Sequence, residues 1–446
     1  MKKFLLSLAV LGTFSTALAE GYQINSLSAR QGGMGHTGVA QKLGAESMYF
    51  NPAGLGFMEK TADFTAAING VIPTATATVD GKDYTTDNKV STPIMFNAAF
   101  RIYDNLKAGI SFYTPYGSSI NWGENWPGAI LNQKVSLATY TIQPTISWRI
   151  TPALSVGIGL NMAWGSVDLY KGLVCPQTLD MMLAAMGNDY RFGNTMPASV
   201  NLKGTSEFGW GFNVGAMYDI SSQWTAGVSF RSKMNMKVKS GDATLSYANE
   251  IARGVLQSTL DVLNMANFKA EMPMPYVLSF GVAYKPMPKL LLALDAQLTG
   301  WSAYKSLNIE FLDDKLTAYN QHLAKDYKNS WTLRLGAQYG LTDRLDLRAG
   351  FIADFTPVDD LHYNPETPGM TKLEPSAGFS FRPYQGLSID FSMLYVAGVG
   401  KDNASCEYVD LLAARMPQLG LPATRTFTGD YRLHAFVPSI GVSYSF

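Results

Sequence analysis

From residue 61 onward, apolar positions alternate with small or polar ones in segment after segment. Leu154, Val156, Ile158, Leu160, Met162 and Trp164 share one side of such a pattern; Ser155, Gly157, Gly159, Asn161 and Ala163 share the other. In 345–355, Leu345, Leu347, Phe351 and Phe355 oppose Asp346, Arg348 and Asp354, and in 331–339 Trp331, Leu333 and Leu335 oppose Thr332, Arg334 and Gln338. Successive side chains of a strand point to opposite faces, so a period of two predicts β-structure with one apolar face. About fourteen such segments occur, near 61–79, 91–103, 105–114, 137–150, 153–169, 206–220, 223–240, 274–285, 289–311, 327–340, 344–356, 371–382, 386–399 and 431–446. A β-sandwich also alternates, but its aromatic face is a dry core between two sheets. Here the opposite face is small and glycine-rich, as suits the inner wall of a barrel set in lipid.

The connections sort by length. Tyr103-Asp104-Asn105, Thr151-Pro152, Ser221-Ser222, Pro286-Met287-Pro288, Thr342-Asp343 and Pro383-Tyr384-Gln385 are tight turns, whereas 170–205, 241–273 and 400–430 are long. Short periplasmic turns and long extracellular loops are the outer-membrane arrangement. The final segment places Ile440, Val442, Tyr444 and Phe446 on one face, a pattern similar to the signal read by the outer-membrane barrel assembly machinery.

Composition strengthens this picture. Only 16% of residues are charged, against about 25% in soluble proteins. The chain carries 23 Tyr, 23 Phe, 8 Trp and 41 Gly, and no segment after residue 19 is an apolar run long enough for a membrane helix. Net charge is zero, which implies no nucleic-acid partner. Residues 1–19 read as a secretory signal peptide: Lys2-Lys3, an apolar run, then Ala17-Leu18-Ala19. The expected fold is therefore an all-β, fourteen-stranded antiparallel transmembrane barrel spanning 61–446, in the bacterial outer membrane.

Residues 20–60 do not alternate. Gly32, Gly33, Gly35 and Gly38 suggest close packing, and Asn51-Pro52 is a turn signal. A hatch folded inside the lumen is the economical reading, since so wide a barrel otherwise encloses water. With Asn51-Pro52-Ala53 following a glycine-rich stretch, and Thr114-Pro115-Tyr116-Gly117 ending the third strand, the chain resembles the outer-membrane long-chain fatty-acid transporters of the FadL type, a family that includes aromatic-hydrocarbon channels. The resemblance covers the whole layout of hatch, strands and terminal Phe. It implies passive uptake of long-chain fatty acids or other hydrophobic compounds. In that family's pattern Asn51, Pro52 and Ala53 form the hatch motif, and Pro115 and Gly117 mark a kink in strand three with a lateral opening. Monoaromatic hydrocarbon uptake, and a surface adhesin or structural porin, remain alternatives.

The loops supply a candidate capture surface. Leu179, Met182, Leu183 and Met186 have helical character, as do Val255, Leu256 and Leu260. Apolar residues on outer loops pack together, meet a ligand, or do both. Strand phase turns Arg231, Lys233, Arg334 and Arg348 inward, beside Asp295, Asp346, Asp354 and Asp390. Arg231, Arg334 and Arg348 are candidate partners for a fatty-acid carboxylate; ladders bracing the lumen and the hatch are the weightier reading for any one of them. Cys175 and Cys406 fall in outer loops of a compartment that permits a disulfide, and the sequence leaves their pairing open. The four histidines have no metal-ligand spacing, and no nucleophile-elbow, P-loop or dinucleotide motif occurs. The expectation is a non-enzymatic, cofactor-free monomer whose partners are its hydrophobic cargo, membrane lipid and lipopolysaccharide.

Overall fold

A computed structural model describes residues 22–446; the signal-peptide reading of 1–19 falls outside them. Fourteen antiparallel strands close into a barrel. They are β1 Ala62–Asn69, β2 Ile94–Tyr103, β3 Leu106–Tyr113, β4 Lys134–Arg149, β5 Leu154–Gly172, β6 Gly209–Asp219 and β7 Trp224–Arg231, followed by β8 Val277–Met287, β9 Leu290–Thr299, β10 Ser330–Thr342, β11 Leu345–Asp354, β12 Lys372–Phe381, β13 Leu387–Gly398 and β14 Thr424–Ser445. Each pairs with its successor, and β14 returns to β1 with Ala66 opposite Val442. With closure each of these fourteen strands has a neighbouring strand on both sides, as a sheet in hydrocarbon requires.

All fourteen alternating segments are present, but three of them break. The expected 61–79 strand stops at Asn69 and resumes as Ile72–Val79 on the upper half of β14. Opposite the break lies Pro438, which has no N–H to donate. The expected 289–311 strand is interrupted by a turn at Trp301–Ala303. In 223–240, strand β7 ends at Arg231 and a new strand, Met234–Tyr247, pairs elsewhere. The irregularity at 232–233 reverses the phase: Ser229 and Met236 are both buried, and Lys233 is exposed. Lys233 therefore leaves the lumen-facing set that unbroken alternation assigns it, because one extra residue moves every following side chain to the other face.

Rings on the lipid side form a belt across five neighbouring segments. Phe96 faces Phe112, Phe112 faces Tyr140, Tyr140 faces Trp164 and Trp164 faces Phe208, with centroids 5.3–6.4 Å apart. Aromatic girdles of this kind sit at the membrane interface. Above it rise the extensions Ala198–Thr205, Met234–Tyr247, Asn267–Met274, Ser306–Phe311 and Lys401–Val409, capped by helices Pro176–Ala185, Glu250–Leu260 and Leu411–Arg415.

Residues 22–58 pack inside the barrel. A short helix, Ala29–Gly32, is capped by Ser28, whose hydroxyl accepts from the Gln31 N–H. A second, Ser47–Phe50, leads into the turn Pro52–Phe57, where the Asn51 side chain accepts from the Ala53 N–H. The wall meets this backbone with glycines. A Cβ on Gly350 would lie 1.9 Å from Gly35 N, one on Gly215 2.0 Å from Asn51 Oδ1, and one on Gly227 2.2 Å from Val39 O. The glycine content of the inner face thus follows from close backbone approach rather than from strand preference, which disfavours glycine.

Candidate functional site

The inner faces of β4 and β5 change chemistry along their length. Beside the N-terminal segment β4 presents Thr139, Thr141, Gln143, Thr145 and Ser147, and higher up it presents Leu137 and Val135. On β5 the matching sequence is Ser155, Asn161 and Ala163, then Gly165, Val167 and Leu169. The upper residues wall a cavity of about 90 Å³, completed by Leu202, Met236, Phe268, Met272, Leu307 and Ile309. Two methionines on its wall allow it to repack around a larger guest.

Tyr22 closes the floor. Its hydroxyl donates to the Pro273 carbonyl, and its ring sits edge-on to Trp301, Tyr304 and Tyr116 with centroids 4.8, 5.8 and 5.9 Å away. Charged groups lie beside one side of the cavity, and of these Glu366 lines it. Lys325, 1% exposed, pairs with Glu366, which lines the cavity. Lys171 follows Leu169 on the same face of β5, is 7% exposed, and donates to Gln321 Oε1 at 3.1 Å. Among the described residues no carboxylate lies within 4.0 Å of the Lys171 amine.

Tyr22 also lines a second cavity, of about 660 Å³, where the wall is interrupted. Strand β3 ends at Tyr113, and Gly117–Asn121 continues on β4 alone. In the gap, the Thr114 hydroxyl accepts from Ile94 N–H, Ile24 N–H donates to Pro115 O, and Gly117 N–H donates to Tyr22 O. The N-terminal segment thus substitutes for a wall strand where proline cannot donate. Residues from the lumen, including Ile24, Leu394 and Val437, line this cavity together with Tyr140 of the outer aromatic belt.

Residues 10–446 match the model of a family described as outer membrane protein transport protein (OMPP1/FadL/TodX). The chain belongs to this family. It is 21% identical over 424 residues to the long-chain fatty acid transport protein of Escherichia coli strain K12, covering 89% of this chain and 92% of that one. Its fold matches the crystal structure of a Pseudomonas aeruginosa FadL homologue with a TM-score of 0.78 at 19% identity, covering 96% of this chain and all of the other (100%). It also matches the P. putida toluene transporter TodX, with a TM-score of 0.69 at 15% identity, covering 95% and 99%. The family consists of outer-membrane transport channels for hydrophobic compounds, not enzymes, and this chain is one of them.

For this FadL/TodX member, the residues singled out by sequence fall in three places. Asn51 is fully buried: its amide donates to the Val39 and Ala216 carbonyls while its oxygen caps Ala53, and Pro52 abuts Gly157. Pro115 lies in the wall gap, where its carbonyl accepts from Ile24 N–H, and Gly117 lines the cavity there. The loop residues divide. Leu179, Leu183, Leu256 and Leu260 are buried in one apolar cluster, Met182 and Val255 pack on its edge, and Met186 is exposed. The arginines sit lower, at the level of the N-terminal segment. Arg231 donates to Tyr49 O at 2.8 Å, Arg334 to Asn25 Oδ1 at 2.8 Å, and Arg348 to Gln338 Oε1 at 2.8 Å. None of the three lines the apolar cavity.

Cys175 and Cys406 are free thiols, so the disulfide open at the sequence level is absent. Cys175 lies 3.5 Å from the Tyr408 hydroxyl, one face-step along the strand from Cys406. Burial pushes both thiols up, to about 11 and about 12, which suppresses the reactive thiolate. Sequence reasoning missed Tyr22, Trp301, Lys171 and Lys325. For Lys171 a signal existed: continuing the β5 alternation past Leu169 puts it on the inner face.

Proposed function

We propose that this channel carries long-chain fatty acids. The observation that supports this reading is the charge beside the upper cavity. The Lys171 amine, almost out of contact with water, lies two residues beyond the cavity-lining Leu169 and near one already satisfied ion pair, so an excess positive charge borders the apolar chamber. Burying such a charge is costly unless an anion joins it. A carboxylate with a hydrocarbon tail supplies both requirements, whereas a monoaromatic hydrocarbon brings no counter-charge for the amine.

On this reading cargo is gathered at the apolar outer cap, where Met182, Met186 and Val255 border the cluster of Leu179, Leu183, Leu256 and Leu260. It then enters the cavity with its carboxylate at Lys171. Displacing Tyr22 joins the cavity to the wall gap at Pro115 and Gly117, and the acid leaves sideways into lipid while Asn51, Pro52 and Ala53 keep the lumen plugged. Uptake of labelled oleate by a deletion strain, with and without this gene, tests the reading. Restored uptake that falls in a Lys171→Gln variant is expected; equal uptake in the presence and absence of the gene overturns it.

A further inference from the structure

Below the wall gap, on the side that faces lipid, lies a groove of about 570 Å³ that the transport reading does not use. It runs across β14, β1, β2, β3 and β4. Ala66 and Ala98 form its shallow floor, and Phe64, Phe96, Phe112 and Tyr444 stand along its sides. Register explains the depression. Phe64 is opposite Ala98 and Ala66 is opposite Phe96, so each alanine has a ring across from it on the neighbouring strand. The wall around Leu292, Leu294, Trp331, Leu333 and Leu335 carries large side chains instead.

The groove adjoins the gap. Ile94 and Tyr140 line the wall cavity, and Phe96 and Ile142, the next residues on the same outward faces, line the groove. Side chains two residues apart on a strand share a face and are separated by roughly 7 Å, so the two spaces adjoin along this face. Strand β2 descends from Ile94 toward the periplasmic turn after Tyr103, and the groove therefore runs from the gap toward the periplasmic leaflet.

We infer that this groove is a binding track for a single acyl chain, receiving cargo as it leaves the wall gap and aligning it with the inner leaflet. A trough with an alanine floor and aromatic sides offers an apolar bed for an extended hydrocarbon chain. The inference rests on the lateral route proposed above, and two measurements separate their failures. In the first, Ala66→Trp and Ala98→Trp fill the trough, with Leu333→Trp as a lipid-facing control on another part of the wall. Oleate uptake falls about tenfold in the trough variants, equivalent to ~1.4 kcal/mol on the slowest step, while the purified variants still bind a fluorescent fatty acid as wild type does. Uptake equal to that of Leu333→Trp overturns the inference. In the second, Phe96→Trp reports occupancy in vesicles. Brominated oleate quenches this tryptophan more strongly than one at Leu333→Trp, and brominated phospholipid quenches both alike. Equal quenching by brominated oleate overturns the track independently of uptake. Selective quenching with no oleate uptake by wild type retains the track and rejects the transport reading. Heat-modifiable mobility of each variant verifies that the barrel has closed.

Discussion

The lower and upper halves of the lumen are made from the same strands and differ in what they face. In the lower half, wall and N-terminal segment are fitted group by group. The Asp295 carboxylate accepts from the N–H groups of Gly38 and Val39 at 2.6 and 3.0 Å, Gln143 donates to Met48 O at 2.6 Å, and glycines admit the backbone itself. In the upper half the inner face is Val135, Leu137, Val167, Leu169, Met236 and Met272, with a small cavity and a buried amine. A permanent internal partner demands hydrogen bonds and close contact at fixed positions. A transient guest demands only an apolar boundary that can repack, with one charge to orient it.

This contrast is most directly broken at the wall glycines. Gly350→Val should prevent the N-terminal segment from seating, because its Cβ meets backbone at 1.9 Å; overpacking of this kind costs about 1–3 kcal/mol or more. The expected readout is permeability to large hydrophilic antibiotics. Gly172→Ala in the cap, where the nearest atoms belong to the Met196 side chain, should leave permeability unchanged. If both behave alike, the two halves are not differently constrained.

Removing a fitted hydrogen bond should have the next largest effect. Asp295→Leu strands two buried N–H groups, at about 1–3 kcal/mol each, and should speed amide exchange around residues 36–42. Unchanged protection there would mean that Asp295 is not what anchors this stretch. In the upper half, Lys171→Gln should weaken binding of oleate about tenfold, from loss of a charged hydrogen bond worth ~1.5 kcal/mol, yet leave an alkane of equal length unaffected. Equal weakening of both would show that the amine shapes the cavity rather than reading a headgroup. The smallest effect is expected for Met236→Leu, a nearly volume-conserving exchange below about 1.5 kcal/mol, seen as a slight shift in preferred chain length.

Much of this was legible in the sequence, for identifiable reasons. Alternation exposed all fourteen strands because burial on a wall between lipid and lumen imposes a strict period of two. It failed at Ser232 and Lys233, where an irregularity leaves no trace in the hydrophobic pattern yet reverses all that follows. Asn51 stood out as the start of Asn51-Pro52-Ala53, but its partners, the Ala216 and Val39 carbonyls, did not, since backbone groups carry no side-chain signature. Arg231, Arg334 and Arg348 were visible as inward charges; that they reach Tyr49, Asn25 and Gln338 depends on height in the barrel, which periodicity does not encode. Tyr22 was hidden by its position in a segment without periodicity.

The glycine contacts between wall and N-terminal segment also bear on how such a channel can diverge. A side chain gained at Gly215 or Gly350 has no room unless the facing residue changes in step, so wall and N-terminal segment must drift together as a single inherited unit. The cap above them carries no such obligation. Exchanging outer loops between relatives should therefore be a far easier evolutionary move than exchanging N-terminal segments, and new cargo preferences should arise from the top of the barrel downward.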